Sequence, residues 1–337
     1  MIRTAIFRFS PSAFAMLALC VAVPARAGTF TAFDPAGATS TTPTSIAASG
    51  AITGFWSADM KTAHGFLRQP DGTIVSFDPD GSAVTIPVGI DDKGRIWGSY
   101  TAAADRDLTY GFVRNADGKI TIFDVGHSGT TDVTGFDAHA GVTGYYYDRQ
   151  GRVRGFVKPL HGKARTFALS GAYYTLGYAI NDAGAIVGQY VDDDFDVHAF
   201  LRAPDGSFTP FDPPQSVETA ALSINATGTI AGDYLDAASV DHGYVRDAAG
   251  TFTSFDPNGS IATLPLAINA AGTIVGTYGT ANGVIHGFLR KPDGTIKKLD
   301  EPDAKISTRP ASINAKGAVT GDFTDAGGLM HGFVWTK

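Results

Sequence analysis

Four histidines in this 337-residue chain each stand fourteen residues before an aspartate: His64 and Asp78, His198 and Asp212, His242 and Asp256, His286 and Asp300. A fifth, His331, sits in the same local sequence near the end of the chain. An imidazole beside a carboxylate suits acid–base work and metal ligation, because the carboxylate decides which ring nitrogen carries the proton. Five equivalent pairs spread along a chain do not converge on one substrate, however, and a β-hairpin would bring each pair together across its two strands. They read as hydrogen-bonded pairs that set strand register.

Residues that break the pattern are better candidates for chemistry. The loop VDDDFDV holds Asp192, Asp193, Asp194 and Asp196. Asp192, Asp194 and Asp196 offer hard oxygens to a Ca²⁺ ion; the spacing matches no EF-hand loop, and a solvated acidic turn is the competing reading. No other cofactor is expected. For catalysis the candidates are His127, Arg154, Tyr173 and Tyr174, which would serve a lyase or hydrolase acting on polysaccharide if they faced one cleft. The insertion TAAADRDLT adds Arg106 and Asp107 nearby. The chain has no HExxH, no GxSxG, no phosphate loop and no dinucleotide fingerprint.

The elements that would position these residues come from a repeat. INAAGTIVGTY, starting at Ile268, recurs in seven versions whose glycine falls at 54, 98, 144, 188, 232, 276 and 321, a period of 44 to 46 residues. An HGFLR-like segment follows each copy, then in most copies a PDG-type turn and a TIVSFD-like segment. Each unit therefore holds four short β-patterned runs, here called a (ending at Ile-Asn), b, c and d, punctuated by Gly, Asn and Asp as hairpins require. Four-stranded meanders at this period are the signature of propeller blades. The last copy supplies a, b and c only, and TFTAFDP at Thr29 is a d strand with nothing before it. Pairing the two would cover an open sheet edge and set His331 beside Asp34. The expected architecture is all-β: a seven-bladed β-propeller of four-stranded antiparallel blades, one domain over residues 28–337, its ring closed by the N-terminal strand completing the last blade (3+1 closure).

The literal HAFLR of His198 to Arg202, its HGFLR variants and the INxxGxIxGxY companion resemble the extracellular HAF-repeat family, named after His-Ala-Phe. The resemblance covers residues 29–337 and implies an extracellular repeat protein; it carries over no catalytic residue and no ligand. Two copies depart from the motif, with Tyr110 and Arg154 in place of the His.

A second periodicity runs through strand a. One residue before its last Ile the side chain is always small, as at Ser45 and Gly89; three before, it is most often Pro. Five before stand Thr41, Thr85, Thr131, Thr175, Thr219, Thr263 and Thr308 without exception. These sets share one face of the strand. Seven inner strands converging on an axis leave room for small side chains, so this face is expected to line the central channel. The threonines would then form a ring of hydroxyls able to hold water or an ion; the alternative is that Thr is a good strand former whose hydroxyl caps a loop. The aromatic ending strand b (Trp56, Tyr100, Tyr146, Tyr190, Tyr234, Tyr278, Phe323) is expected to pack sheet against sheet.

Residues 1–27 read as a secretory signal peptide: Arg3 and Arg8, the apolar run AFAMLALCVAV, then ARA before Gly28. Acylation at Cys20 is a weaker reading because bulky Leu19 precedes it. Removing this segment removes the only cysteine and leaves 23 basic against 33 acidic residues, a formal charge of −10. A disulfide framework is excluded. An acidic chain without basic clusters is poorly suited to nucleic acid, and no later run reaches the ~20 apolar residues of a membrane span. The expected product is a secreted (extracellular or periplasmic) binding protein that recognises a glycan, an envelope component or a protein through loops on one propeller face. The alternative is the polysaccharide-active enzyme.

Overall fold

The computed structural model describes residues 28–127 and 129–337; the expected signal peptide and Cys20 lie outside them. The described residues form 28 β-strands and no helix. In the first repeat, strand a is Ser40–Ile46, b is Ile52–Ser57, c is His64–Arg68 and d is Ile74–Phe77. They pair in that order, each antiparallel to the next. The same a-b-c-d meander recurs in the repeats that follow. At the end of the chain Ser307–Ile313, Val319–Thr324 and Met330–Thr336 pair likewise, and the fourth partner is Thr29–Phe33, antiparallel to Met330–Thr336.

The invariant glycine of the repeat has a steric cause. Strand a carries a register shift at the same place in every repeat, between Pro43 and Ser45 in the first. There its backbone presses on strand b, so that a Cβ at Gly54 would strike the carbonyl oxygen of Thr42, and one at Gly188 that of Leu176. Only glycine allows this approach.

The core lies between successive meanders. The c-strand aromatics Phe66, Phe112, Phe156, Phe200, Tyr244, Phe288 and Phe333 are fully buried, as are Ile52, Ile96, Ile186, Ile230 and Ile274 of strand b. Burying each such side chain contributes about 1.5–3 kcal/mol. The clusters they form cross repeat boundaries: Ala47 and Leu67 pack with Ile90, Ile96 and Phe112 of the next repeat. Another cluster joins Ile46, Ile52 and Phe66 to Ala318 and Val334 from the other end of the chain.

Two polar devices repeat alongside this core, and neither follows from hydrophobic pattern. The Arg ending HGFLR lies over the d-strand Phe of the preceding repeat: Arg68 over Phe33 at 4.8 Å, Arg202 over Phe167 at 5.0 Å, Arg246 over Phe211 at 4.7 Å. These are cation–π contacts in partly dry surroundings. The Asn ending strand a donates to the backbone of the next repeat: Asn181 to Asn225 O (3.0 Å), Asn225 to Asn269 O (3.2 Å), Asn269 to Asn314 O (3.2 Å) and Asn314 to Ala47 O (2.9 Å). The first three repeats have Ala47, Asp91 and Asp137 at this position and do not extend the ladder.

Candidate functional site

The recurring histidines behave as the sequence suggests. Each Nδ1 lies 2.7 Å from the d-strand carboxylate: His64 with Asp78, His198 with Asp212, His242 with Asp256, His286 with Asp300, and His331 with Asp34. The b-strand aromatic stacks on this ring, Trp56 on His64 at 5.0 Å and Tyr190 on His198 at 5.1 Å. These aromatics also pack sheet against sheet as expected, Tyr100 with Leu67, Tyr278 with Ala231 and Phe323 with Val275 and Leu289 of the preceding repeat, and in the His-bearing repeats the ring in addition meets the His on the adjacent strand of its own meander. In three repeats a second carboxylate approaches Nε2, from Asp192, Asp236 and Asp325. Burial works against the charged imidazole, but the paired carboxylates outweigh it and raise the pKa of His198, His242 and His331.

The threonine ring is also corrected. Thr41, Thr85, Thr131, Thr175, Thr219, Thr263 and Thr308 are at most 2% exposed. Thr41 donates to Asp34 Oδ1 at 2.5 Å, Thr85 to Asp78 at 2.6 Å and Thr263 to Asp256 at 2.6 Å. The hydroxyl of Thr131 accepts from Val125 N, that of Thr175 from Leu169 N and that of Thr308 from Glu301 N. These hydroxyls secure the d–a connection and the His-bearing aspartates instead of facing a channel. Strand a keeps its exposure on the opposite face, at Thr42, Ile86, Asp132, Leu176, Ala220, Leu264 and Arg309.

This face varies from repeat to repeat, and it carries the ionisable groups that sequence reasoning missed. Asp132 stands opposite Tyr145 in the third repeat, Ala220 opposite Asp233 in the fifth, and Arg309 opposite Asp322 in the last. Burial, then the charges of Asp241 and Glu218, hold the Asp233 carboxyl up at about 7. Burial, then Tyr145 and Asp233, push Tyr178 to about 12. Tyr145 is likewise raised to about 12 by burial, Asp132 and Tyr147. Tyr145, Tyr178 and Asp233 belong to three successive repeats, and Tyr145 and Asp233 both act on Tyr178, so together they form a wall of tyrosines and acids. Asp322 is different: burial raises its pKa, yet Arg309 holds it in a 2.7 Å ion pair.

At the mouth of this wall lies an exposed aromatic group. Tyr173 and Tyr174 lie against each other with ring planes tilted by 49° and centroids 4.5 Å apart, and Tyr173 meets Phe195 edge-on at 5.5 Å. Tyr147 lies close enough to Tyr174 to contribute to its raised pKa, after the hydrogen bond and charge of Tyr173 and burial. Phe195 is 70% exposed, Tyr173 44% and Tyr147 43%. Phe195 also holds a left-handed backbone, φ 69°, as Ser239, Gly283 and Gly328 do at the same place in the corresponding turns. Arg154, standing where most repeats have His, donates to Ala172 O at 3.2 Å and so anchors the connector that carries both tyrosines.

Of the four proposed catalytic residues, Tyr173 and Tyr174 come together and Arg154 supports them. His127 is separate, in a depression of about 460 Å³ formed with Phe123, Lys158 and Thr166, which neither tyrosine nor Arg154 lines. In the acidic loop, Asp192 Oδ1 accepts the N–H of Asp194 and Asp196, closing the turn. Asp236 and Asp325 do the same in their loops, so the turn is a repeat feature. Carboxylate oxygens of Asp192 and Asp196 and a nitrogen of His198 lie within 4.8 Å of one another, and Asp194 is not in that group.

With this geometry in place the chain can be compared with known proteins. No protein-family model matches it, and no curated protein does. Among solved structures it is similar to the β-propeller domain of the Trilobed protease from Pyrococcus furiosus, at 10% identity and TM-score 0.59, over 88% of this chain and 95% of that one. The fold is a β-propeller. The propeller is similar as well to a prolyl endopeptidase (12% identity, TM-score 0.62, 86% of this chain and 47% of that) and to puromycin hydrolase (16% identity, TM-score 0.56, 87% and 52%). It spans about half the length of these two enzymes. At such identities the likeness concerns fold alone.

Proposed function

We propose that this protein is an exported, HAF-type β-propeller of seven blades, closed by the strand Thr29–Phe33, that binds a neutral or amine-bearing glycan at the channel mouth. The observation that carries this reading is the exposed group of Tyr147, Tyr173, Tyr174 and Phe195 above a wall of tyrosines and acids. Aromatic faces pack against the C–H faces of sugar rings, and phenol and carboxylate oxygens bond their hydroxyls. Asp241 and Glu218, joined by Asp132 and Asp233 where these ionise, would repel an anionic ligand from this mouth. Ring closure is supported by the pairing of Thr29–Phe33 with Met330–Thr336, and by contacts between strands a of successive repeats that run on from the last to the first.

Titration calorimetry of residues 28–337 against soluble neutral polysaccharides and chitosan oligomers tests it. Saturable binding that Tyr173→Ala/Phe195→Ala abolishes, with melting unchanged, is the expected result; binding that survives this double substitution, or none with any glycan, overturns it. A second reading, turnover of the bound polysaccharide, is favoured by one observation: a partly buried carboxyl titrating near 7 beside Tyr178 can act as a general acid or base. Release of reducing ends that stops in Asp233→Asn while binding persists would establish it.

A further inference from the structure

A second depression, of about 560 Å³, lies far along the chain from the tyrosine wall, between the c and d strands of the sixth repeat and the pair formed by Thr29–Phe33 and Met330–Thr336. Its chemistry is the opposite of that wall's. Lys291, Lys297, Lys298 and Lys337 line it, four of the eleven lysines in a chain that is acidic overall. Its apolar floor includes Phe30 and Trp335, and Phe30 is braced edge-on against the buried ring of Phe333 at 5.3 Å. One carboxylate, Asp300, also lines it, already paired with Lys298 at 2.9 Å and with His286. Asp293 is the acid that faces Lys291. Lys297 and Lys337 are exposed and stand in no ion pair among the described residues.

Lysine on an outer strand ordinarily guards the sheet edge against pairing with another chain. Five of the six other repeats show that this edge does not need it. The positions of Lys297 and Lys298 are held by Thr31 and Ala32, Val75 and Ser76, Thr121 and Ile122, Arg165 and Thr166, Thr209 and Pro210, and Thr253 and Ser254, so no other repeat places two bases there. The lysine pair therefore belongs to the depression rather than to the repeat.

We propose that this depression is a second, separate ligand site, for a carboxylated polysaccharide. The cations here are all lysines, mobile point charges that pair with carboxylates along a chain without demanding one fixed geometry. The indole of Trp335 and the ring of Phe30 offer flat apolar surface for a sugar ring between charges. A polymer with about one carboxylate per sugar also suffers less repulsion from the acidic remainder of the molecule than a nucleic acid, whose charge density is far higher. The site shares no residue with the tyrosine wall, so the two readings stand or fall separately.

Trp335 reports on the site directly, the other tryptophans being Trp56 and Trp97. Polygalacturonate added to residues 28–337 at low salt should give a saturable change in tryptophan emission that Trp335→Phe removes and dextran does not produce. Lys297→Glu/Lys337→Glu should weaken binding at least tenfold without lowering the melting temperature, and raising the salt to 0.5 M should weaken the unsubstituted protein similarly. Tyr173→Ala/Phe195→Ala should leave polygalacturonate binding intact. The proposal is overturned if polygalacturonate does not bind, if the lysine variant binds it equally well, if the tyrosine-wall variant loses it, or if single-stranded DNA binds more tightly.

Discussion

Two regions of the propeller follow opposite rules. The frame between the meanders uses the same side chains repeatedly: buried c-strand aromatics, His–Asp pairs, Arg–Phe contacts and the asparagine ladder. The wall at Tyr145, Tyr178 and Asp233 uses each residue once, and leaves acids and phenols where burial disfavours their ionisation. Repetition marks what every interface between meanders needs for packing. Departure from repetition marks where the chain has accepted a less stable arrangement, the usual trade between stability and function.

That contrast is broken most severely by cutting into the frame. Phe288→Ala leaves a cavity at a fully buried site and should lower unfolding stability by about 3–5 kcal/mol in urea denaturation. Asn269→Ala removes a ladder donor and also the acceptor for Thr273 N; a loss of about 1–3 kcal/mol is expected in the same measurement. The mouth should show the reverse: Tyr173→Ala/Phe195→Ala should change stability by less than about 0.5 kcal/mol, yet weaken glycan binding at least tenfold, about 1.4 kcal/mol.

Two finer tests sharpen the comparison through pH. The folded pKa of Asp233 lies above its ordinary value, so its ionisation destabilises the fold as pH rises from about 4 through about 7. Asp233→Asn should therefore stabilise the protein at pH 8, on the order of 1 kcal/mol allowing for solvent screening, and be nearly neutral at pH 4. The frame histidines titrate with the same sign for a different reason. His198, His242 and His331 are raised by their carboxylates, so their contribution is fully present below 6.5 and is lost as pH climbs through the raised values. His242→Gln should flatten that part of the stability–pH curve by a fraction of a kcal/mol, measured as melting temperature against pH.

Much of the frame was legible because it repeats. Glycine at 54 and its six counterparts, the HGFLR segments and the fourteen-residue His–Asp offset state strand, turn and hairpin partner locally, and the meander follows from hydrogen bonds between neighbours in sequence. The candidate site was legible only in its outermost members, Tyr173 and Tyr174, which interrupt a regular connector. Tyr145 and Asp233 were hidden between an invariant glycine and an aromatic, although the variety at that one position, Phe55, Ser99, Tyr145, Gln189, Asp233, Thr277 and Asp322, is the signal that finds them.

The amino-acid sequence by itself determined the all-β class, the four-strand unit, the partners within each meander and the register-setting His–Asp pairs, because all of these rest on short-range spacing and on the two-residue period of a strand. Which face of strand a is buried was decided by the tertiary structure. A period of two separates the faces without naming the inner one, and here the small and threonine-bearing face is the one pressed into neighbouring chain. The clustering of Phe195 with Tyr173, the grouping of Tyr145, Tyr178 and Asp233 across three repeats, and the meeting of Trp335 with the lysines of the sixth repeat were decided there too, since each brings together residues that no local rule connects.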